Sequence, residues 1–407
     1  MIELIYGNNF SGRSRHLKNI VGWSDYLQST SERGKTCDAD PSIYLEPIPE
    51  SSISGLFDSV EEEVFRFHAT RSASSSIRAF VTDLGIDYLL KRNPFVLSGG
   101  EKVLTVFLSA VTQQPKAIAV DSLLEQLSSE WRSRVISFLP YSGIEQFYLA
   151  DNRASEFATS SMTGHSLNSA LDAEHGELAL ESLDSTQFCV PKLESPPLLE
   201  LVDMRFAYQR GQDVLHGGRL QLQGGQVYRL RGRNGSGKST LAKVLSGVLN
   251  LNSGRILMDG TEISPYRHPG RFVGYSFQQP DDQLFLGHVE SEVSSRHYPQ
   301  SDEVRRSILR SFGLQHTSSV HPMDLPLTVR KRLSVASTLA ADRPFYVLDE
   351  PTLYQDDHNM LELARIIQRI ADTGRGVILI SHAESFISLI DGIEEISIED
   401  GFLSKRN

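Results

Sequence analysis

Short apolar runs separated by glycine-rich or polar residues recur along the chain and predict buried strands that alternate with helices. Residues 226–231 alternate in polarity and predict a strand, which a glycine-rich loop joins to a helix over about residues 238–248. Residues 347–350 and 376–381 read as short strands of the kind buried in parallel sheets. Such strands joined by helices imply right-handed crossovers and a binding site at the carboxyl ends of the strands. The pattern therefore predicts an α/β fold.

Landmarks of the first half return in the second half at a nearly constant spacing. Four pairs correspond, with offsets obtained by subtracting residue numbers: Gly7 with Gly232 (225), Asp121 with Asp349 (228), Val64 with Val293 (229) and Asp151 with His382 (231). Because the pairs keep their order and almost their spacing, we infer a tandem duplication.

The duplication predicts two domains of similar architecture. We expect the first domain over residues 1–154, with an extension to about residue 185 as the alternative. Residues 155–197 are rich in Ser, Ala, Glu and Leu and end in prolines, which is typical of a linker or of the end of the first domain. The second domain is expected over residues 198–407.

Composition and charge narrow the class of protein. Hydrophobic residues make up 40% and charged residues 22% of the 407 residues, as in an ordinary globular protein. The net charge of −11 argues against a nucleic-acid partner, which a basic surface usually recognises. The basic run Arg330–Arg332 predicts a solvated helix face rather than a phosphate-binding track.

The chain shows no sign of membrane insertion. No run approaches the ~18–20 apolar residues that span a bilayer. The N-terminus has no signal-peptide pattern, and the two cysteines, Cys37 and Cys189, are expected to be reduced thiols. We therefore expect a cytoplasmic protein that reaches the inner face of the membrane through a partner.

The segment Gly232–Thr240 (Gly-Arg-Asn-Gly-Ser-Gly-Lys-Ser-Thr) carries a complete phosphate-binding pattern between a strand and a helix. Its glycines let backbone N–H groups surround phosphates at a helix N-terminus, where the helix dipole also favours anions. Lys238 is expected to reach the phosphate oxygens and Ser239 to bind Mg²⁺. The predicted phosphate-binding residues are Asn234, Gly235, Ser236, Gly237, Lys238, Ser239 and Thr240.

Acidic and imidazole side chains follow the predicted strands of the second half. Asp349 comes at the end of one strand and is expected to hold Mg²⁺, and the adjacent Glu350 is expected to polarise the attacking water. His382 ends the last apolar strand, where it is predicted to contact the γ-phosphate and orient Glu350. Gln278 is a candidate Mg²⁺ ligand and partner sensor, with Gln279 as the alternative register.

These motifs resemble those of ATP-binding cassette (ABC) ATPases. Gly232–Thr240 resembles a Walker A motif, Gln278 a Q-loop, Asp349–Glu350 a Walker B motif with its catalytic glutamate, and His382 a switch histidine. Leu97–Glu101 resembles the family's signature, with Ser98, Gly99, Gly100 and Glu101 as its ATP-binding residues. The resemblance implies ATP and Mg²⁺ as ligands, adenine stacking on Tyr208 and a D-loop aspartate at Asp356. It also implies two RecA-like domains in tandem, each with a small antiparallel β subdomain and a helical subdomain.

The string Gln278–Phe285 (Gln-Gln-Pro-Asp-Asp-Gln-Leu-Phe) is similar to the ATPases of energy-coupling-factor importers. In those importers this segment docks onto a transmembrane partner. The first half reads Tyr44–Pro49 (Tyr-Leu-Glu-Pro-Ile-Pro) at the corresponding place and lacks the string. The resemblance therefore implies a transmembrane subunit as the partner of the second half.

Each half departs from the family pattern at different motifs. The second half reads Leu325-Pro-Leu-Thr328 where its signature belongs, which removes the serine, both glycines and one N–H group. The first half has Arg13 for the phosphate-loop lysine, Ser122 for the catalytic glutamate and Asp151 for the histidine. Its degenerate site is assigned to Gly7, Gly12, Arg13, Ser14 and Asp121, of which Ser14 and Asp121 retain the capacity to hold Mg²⁺.

The defects are complementary. In ATPases that close head-to-tail, one nucleotide needs the phosphate loop of one half and the signature of the other. Pairing of the two halves within the chain would therefore make one complete ATP site and one ruined site. We expect an ATPase that energises a membrane transporter. The alternatives are a soluble ABC ATPase that acts on a ribosome or nucleic acid and a nucleotide-dependent clamp.

Overall fold

The computed structural model describes residues 2–6, 17–18, 20–21, 42–47, 49–54, 56–65, 71–151, 163–166, 181–209, 213–233, 235–294 and 301–405. The chain divides into two compact units, Met1–Ala173 and Glu174–Asn407.

The first unit is built on a parallel sheet of five strands in the order β2-β3-β4-β1-β5. The strands are β1 (Ile2–Tyr6), β2 (Ser42–Leu45), β3 (Ala117–Asp121), β4 (Gln146–Asp151) and β5 (Thr163–Ser166). The described α-helices are α1 (Val60–Phe65), α2 (Arg71–Asp83), α3 (Gly99–Thr112) and α4 (Ser129–Phe138). Strand β3 is buried along its whole length, as expected for a central strand covered on both faces.

The second unit has a six-stranded sheet in the order β12-β13-β14-β9-β15-β16, in which only β15 and β16 pair antiparallel. These strands are β9 (Val227–Arg231), β12 (Val273–Ser276), β13 (Phe345–Asp349), β14 (Gly376–Ile380), β15 (Glu394–Glu399) and β16 (Phe402–Lys405). A separate antiparallel sheet contains β6 (Leu198–Ala207), β7 (Asp213–His216), β8 (Arg219–Gln223), β10 (Ser253–Met258) and β11 (Thr261–Ile263).

The helices of the second unit are α5 (Lys238–Ser246), α6 (Val289–Val293), α7 (Asp302–Ser311), α8 (Leu327–Ala340), α9 (Asp357–Asp372) and α10 (Glu384–Ile387). Helix α9 buries its apolar side, including Ile366, Ile367 and Ile370, in the same core cluster as Leu379 of β14. Helices α6, α7 and α8 follow β12 in the chain, as α1, α2 and α3 follow β2 in the first unit.

The parallel strands correspond between the units one by one. The order β2-β3-β4-β1-β5 matches β12-β13-β14-β9-β15, and helices α3 and α8 begin at Gly99 and Leu327, an offset of 228. The predicted tandem α/β fold is confirmed. The antiparallel β subdomain expected in each half is present in the second unit, whereas the described strands of the first unit form the parallel sheet alone.

Residues 181–197, which we interpreted as part of a linker, pack against the second unit. Leu183 and Phe188 are 3% and 4% exposed and belong to the same core cluster as helix α9. The backbone of Leu183 donates to Asn359 Oδ1 at 2.8 Å, and that of Cys189 donates to Ser307 Oγ at 2.8 Å. Burial of each large apolar side chain contributes about 1.5–3 kcal/mol, so this segment is a structural part of the second unit.

Candidate ATP site

The phosphate loop of the second unit connects the end of β9 to the start of α5. Gly235 and Gly237 have φ angles of +78° and +104°, a region that side chains with a Cβ atom avoid. A Cβ atom on Gly232 would lie 2.5 Å from Ser236 Oγ and 2.7 Å from Ile398 O. The predicted glycines are therefore required by the conformation and the packing of the loop. Asn234 lies outside the described residues.

Polar groups of this loop are turned toward its own interior. Lys238 Nζ donates to the carbonyl oxygens of Gly232 at 2.7 Å and Arg233 at 3.1 Å. Burial lowers the pKa of Lys238, whereas the nearby Glu350 and Asp349 carboxylates raise it. The hydroxyl of Ser236 is buried and has no hydrogen-bond partner among the described residues. An anionic phosphate fits this loop because it would supply acceptors for both side chains.

Two hydroxyl groups converge on one carboxylate at the end of β13. Ser239 Oγ and Tyr275 OH both donate to Asp349 Oδ2, each at 3.0 Å. Burial raises the pKa of Asp349, and the charge of Glu350 raises it further. A divalent cation would relieve this buried negative charge, and a serine hydroxyl beside a carboxylate offers the hard oxygen ligands that Mg²⁺ prefers. The residues present thus fit the magnesium ion expected here.

Glu350 is held beside the last strand of the core. Its φ angle is +45°, so the chain turns sharply after Asp349. The backbone N–H of His382 donates to Glu350 Oε1 at 3.1 Å, and Ser381 Oγ donates to Oε2 at 3.3 Å. The imidazole Nε2 of His382 lies 3.8 Å from Glu350 Oε1. The structure therefore brings together the predicted glutamate and histidine at the carboxyl ends of β13 and β14.

The remaining predicted residues of the second unit lie around this centre. Tyr208 is 60% exposed, its OH lies 3.2 Å from Thr240 Oγ1, and its ring makes an edge-to-face contact with Phe206 at 4.9 Å between centroids. Gln278 follows β12, the strand that neighbours β13. Asp356 caps helix α9 by accepting the N–H of Asn359 at 2.9 Å.

Tyr275 is a site residue that the sequence analysis missed. Its counterpart in the first unit is Tyr44, whose OH donates to Asp121 Oδ2 at 2.6 Å. In each unit the tyrosine lies on the strand that pairs with the strand carrying the aspartate. Alignment of the two halves would have revealed this repeated tyrosine, because it occurs at nearly the same offset as the other landmarks.

The signature residues of the first unit occupy the start of a helix. Ser98 is the N-cap of α3, and Gly99 and Gly100 are its first residues. The N–H of Ser98 donates to Glu101 Oε2 at 2.8 Å, and Arg92 forms an ion pair with Glu101 at 3.2 Å. The side chains of Ser98 and Glu101 thus form a capping box at the first turn of this 14-residue helix.

The equivalent helix of the second unit begins differently. Pro326 is the N-cap of α8 and has no N–H group, and Leu327 is the first helical residue. Leu325 is buried at 2% exposure. The change of residues is therefore accommodated by the fold but removes a donor and the close backbone approach that glycine allows.

The first unit keeps the backbone of its Walker B region. Ser122 has a φ angle of +52°, close to the +45° of Glu350 at the corresponding position. Asp121 is 3% exposed and accepts the Tyr44 hydrogen bond. The other assigned residues of the degenerate site, Gly7, Gly12, Arg13 and Ser14, lie outside the described residues.

The prediction of a solvated basic face at Arg330–Arg332 is wrong. Lys331 is 0% exposed and Arg332 is 2% exposed. Lys331 Nζ donates to the carbonyl oxygens of Phe277, Gln278 and Asp349 at 2.8, 3.1 and 2.9 Å. Burial lowers its pKa to about 8, while the Asp349 and Glu350 carboxylates act in the opposite direction. Carbonyl acceptors contributed by distant parts of the chain, invisible in a local charge pattern, allow this burial.

The segment after Gln278 is braced against α8. Gln283 accepts the N–H of Phe277 at 2.9 Å and donates to Ser334 O at 2.7 Å. Asp281 accepts two hydrogen bonds from Arg330, at 2.7 and 2.9 Å. The segment ends at Phe285, whose side chain is 78% exposed. A segment that is hydrogen-bonded to α8 thus ends in an aromatic side chain exposed to solvent.

Comparison with known proteins places these features in a family. The family model described as ABC transporter matches residues 215–353. The energy-coupling factor transporter ATP-binding protein EcfA1 of Thermotoga maritima is 32% identical over 205 residues, which cover 49% of this chain and 78% of that protein. A putative ABC transporter ATP-binding protein of Methanosarcina acetivorans is 25% identical over 356 residues, covering 80% of this chain and 67% of the relative. The chain belongs to the ABC transporter ATP-binding family and has its ATPase domain.

A second match in Methanosarcina acetivorans, 32% identical over 229 residues, aligns with 37% of that protein's length.

Two solved structures that align with nearly the whole chain support the tandem fold. An archaeal ABCE1 from a model of ribosome-bound Pelota and ABCE1 has a TM-score of 0.68 at 17% identity, covering 99% of this chain and 73% of that one. The structure described as RNase-L inhibitor has a TM-score of 0.61 at 18% identity, covering 100% and 86%. In the described parts of the chain, no helix combines the length and apolarity needed to cross a membrane.

Proposed function

We propose that the second unit hydrolyses ATP at the site formed around Asp349. Lys238 and the phosphate loop bind the phosphates, and the exposed ring of Tyr208 stacks on the adenine. Ser239, Gln278 and Asp349 hold Mg²⁺, which when bound neutralises charge that develops on the phosphates. The proposed ATP-binding residues of this unit are Tyr208, Asn234, Gly235, Ser236, Gly237, Lys238, Ser239, Thr240 and Gln278.

Glu350 acts as the general base in this proposal. Its carboxylate accepts a proton from the water that attacks the γ-phosphate, and His382 holds Glu350 in place. The support is the geometry at the ends of β13 and β14, where the backbone of His382 lies 3.1 Å from the Glu350 carboxylate. In this proposal the imidazole of His382 donates a hydrogen bond to the γ-phosphate.

The first unit completes this site with its signature. Ser98, Gly99, Gly100 and Glu101 form the intact signature of the chain, and the phosphate loop at Gly232 forms its intact Walker A motif. Each intact motif lies in the half that lacks the other. Pairing of the two halves in one polypeptide therefore explains why both sets of residues are present.

The second composite site turns over negligibly. It would combine Arg13 and Ser122 with the altered signature at Pro326, so it lacks the general base and several phosphate donors. Loss of the general base alone costs about 10²–10⁴-fold in rate. Ser14 and Asp121 leave this site the oxygen ligands of a magnesium ion, and nucleotide binding without turnover is consistent with that.

We further propose that ATP hydrolysis drives a membrane transporter, with an energy-coupling-factor-like importer favoured. The observation that carries this assignment is the braced segment that ends at the exposed Phe285. The similarity to EcfA1 of Thermotoga maritima supports it. In this proposal Phe285 packs against a transmembrane subunit, and the chain is a peripheral protein of the inner membrane face.

Purification from native membranes tests the transport assignment. A tagged full-length chain should bring down a polytopic membrane protein in mild detergent, and Phe285→Asp should reduce its yield about tenfold, since a buried interface aromatic contributes about 1–3 kcal/mol. Phe402→Asp is the matched control, because Phe402 is 55% exposed on β16, outside the braced segment. Recovery of the same membrane protein with Phe285→Asp would contradict this docking site.

The alternative is a soluble ATPase that acts on a ribosome or nucleic acid. The fold of the chain is compatible with this role, whereas its net charge of −11 disfavours a polyanionic partner. Stimulation of ATP hydrolysis by purified ribosomes, with no response to the membrane subunit, would favour this alternative. ATP binding without any turnover would instead indicate a nucleotide-dependent clamp.

A further inference from the structure

We propose that Lys331 is a positioning residue for ATP hydrolysis. Its side chain joins the backbone of the Gln278 segment to the end of β13. It would thereby set the spacing between two magnesium ligands, Gln278 and Asp349. The inference rests on the ATP site proposed above for the second unit.

The hydrogen bonds of Lys331 are complete and all go to backbone carbonyls. Its side chain enters from α8 and is fully buried. Nζ donates to Phe277 O at 2.8 Å, to Gln278 O at 3.1 Å and to Asp349 O at 2.9 Å. An ammonium group has three N–H donors, so these three carbonyls use all of them.

These carbonyls lie where the two strands stop pairing. The parallel ladder between β12 and β13 ends with Ser276 opposite Leu348. Phe277 and Asp349 are the next residues on each strand, and Gln278 follows. The ammonium group of Lys331 therefore joins β12 and β13 just beyond their last paired residues, where the predicted Mg²⁺ ligands Gln278 and Asp349 lie. Without it, the backbone at Gln278 would lose its direct connection to the backbone of Asp349.

A purely structural role would not require a charge at this position. Transfer of an ammonium group into a protein interior costs several kcal/mol in order of magnitude, whereas an aliphatic side chain is free of that cost. The first unit has Val103 at the corresponding position, 228 residues earlier, and Val103 is likewise 0% exposed. The same helix packing thus accepts valine in the unit that lacks the catalytic glutamate. The lysine occurs in the unit whose Walker B motif is intact.

The experiment measures the Mg²⁺ dependence of steady-state ATP hydrolysis by the full-length chain. It also measures equilibrium binding of Mn²⁺, as a spectroscopic substitute for Mg²⁺, in the presence of a non-hydrolysable ATP analogue, and Mn²⁺ affinity should fall roughly tenfold in Lys331→Met. In Lys331→Met, the Mg²⁺ concentration for half-maximal rate should rise and kcat should fall, each roughly tenfold, as for loss of a group that orients metal ligands. The KM for ATP at saturating Mg²⁺ should stay within about twofold, because the phosphate loop is untouched. Lys331→Gln keeps two N–H donors and should restore most of both parameters.

Arg375→Met is the matched control for the loss of a buried cation. The Arg375 side chain is 1% exposed and forms an ion pair with Asp342, and it precedes β14 at the amino end of the sheet, opposite the site. This variant should lose stability without a change in Mg²⁺ dependence. An equal shift in Arg375→Met would show that general loosening explains the Lys331 effect and would overturn the proposal.

Two results separate this inference from the proposed site. If Glu350→Gln is inactive while Lys331→Met and Lys331→Gln keep the wild-type kcat and Mg²⁺ dependence, the role of Lys331 is refuted and the site stands. If Glu350→Gln hydrolyses ATP at the wild-type rate, the proposed site is refuted and the Lys331 proposal falls with it.

Discussion

Replacement of Glu350 by glutamine removes the proposed general base with little change of shape. Glutamine keeps a carbonyl oxygen that can accept the N–H of His382, now 3.1 Å from Glu350 Oε1. Its amide can donate to Ser381 Oγ, which lies 3.3 Å from Oε2. The hydrogen bonds that hold the side chain are therefore retained, and we expect a folded protein.

The expected loss of rate follows from the loss of proton transfer. A positioned general base contributes about 10²–10⁴-fold, or about 2.7–5.4 kcal/mol of transition-state stabilisation. The variant removes a negative charge beside Asp349, a charge that raises the pKa of Asp349. Because ATP is an anion, removal of this charge should not lower its affinity. The prediction is thus a selective loss of kcat.

The assay is steady-state phosphate release at saturating ATP and Mg²⁺, together with equilibrium binding of a fluorescent ATP analogue. Ser122→Ala is the control, since Ser122 occupies the corresponding left-handed position in the first unit, with φ +52°. The control should keep wild-type turnover. Unchanged phosphate release in Glu350→Gln, with intact binding, would refute the assignment of the base.

Three further predictions concern the nucleotide site and the start of the second unit. Ser239→Ala should raise the Mg²⁺ concentration for half-maximal hydrolysis roughly tenfold, since a metal ligand and a hydrogen bond to Asp349 are lost, and a Mg²⁺ titration checks this. Tyr208→Ala should weaken ATP binding about 5–150-fold, the equivalent of about 1–3 kcal/mol of base stacking; unchanged binding would remove Tyr208 from the site. Phe188→Ala should destabilise the second unit by about 3–5 kcal/mol in urea unfolding; a change below about 1 kcal/mol would show that residues 181–197 are not part of its core.

The architecture and much of the site could be predicted from the sequence because their signals are local. The run 376–381 and the loop Gly232–Thr240 predicted strand β14 and the start of α5 within one residue. The glycine loop, the acidic pair Asp349–Glu350 and His382 each lie at or just after the end of a strand. Since the carboxyl ends of parallel strands meet at one edge, their convergence followed from the order of elements.

The parts that the sequence did not predict depend on contacts between distant residues. Lys331 is buried because carbonyls of Phe277, Gln278 and Asp349 surround it, and no local pattern encodes those carbonyls. Residues 181–197 have the composition of a linker, yet Phe188 finds a place in the core of the second unit. Tertiary packing overrides composition in both places.

The pairing of the first unit's signature with the second unit's phosphate loop is tested most directly by Ser98→Arg. This side chain would fill the N-terminus of α3, where the phosphate is proposed to bind. Steady-state ATP hydrolysis should fall about 10²-fold or more, as for loss of a transition-state donor, although Lys238 and Glu350 are unchanged. Pro326→Arg, at the corresponding N-cap of α8, should leave the rate within about twofold. Wild-type hydrolysis by Ser98→Arg would contradict the composite site and would show that the second unit works without the first unit's signature.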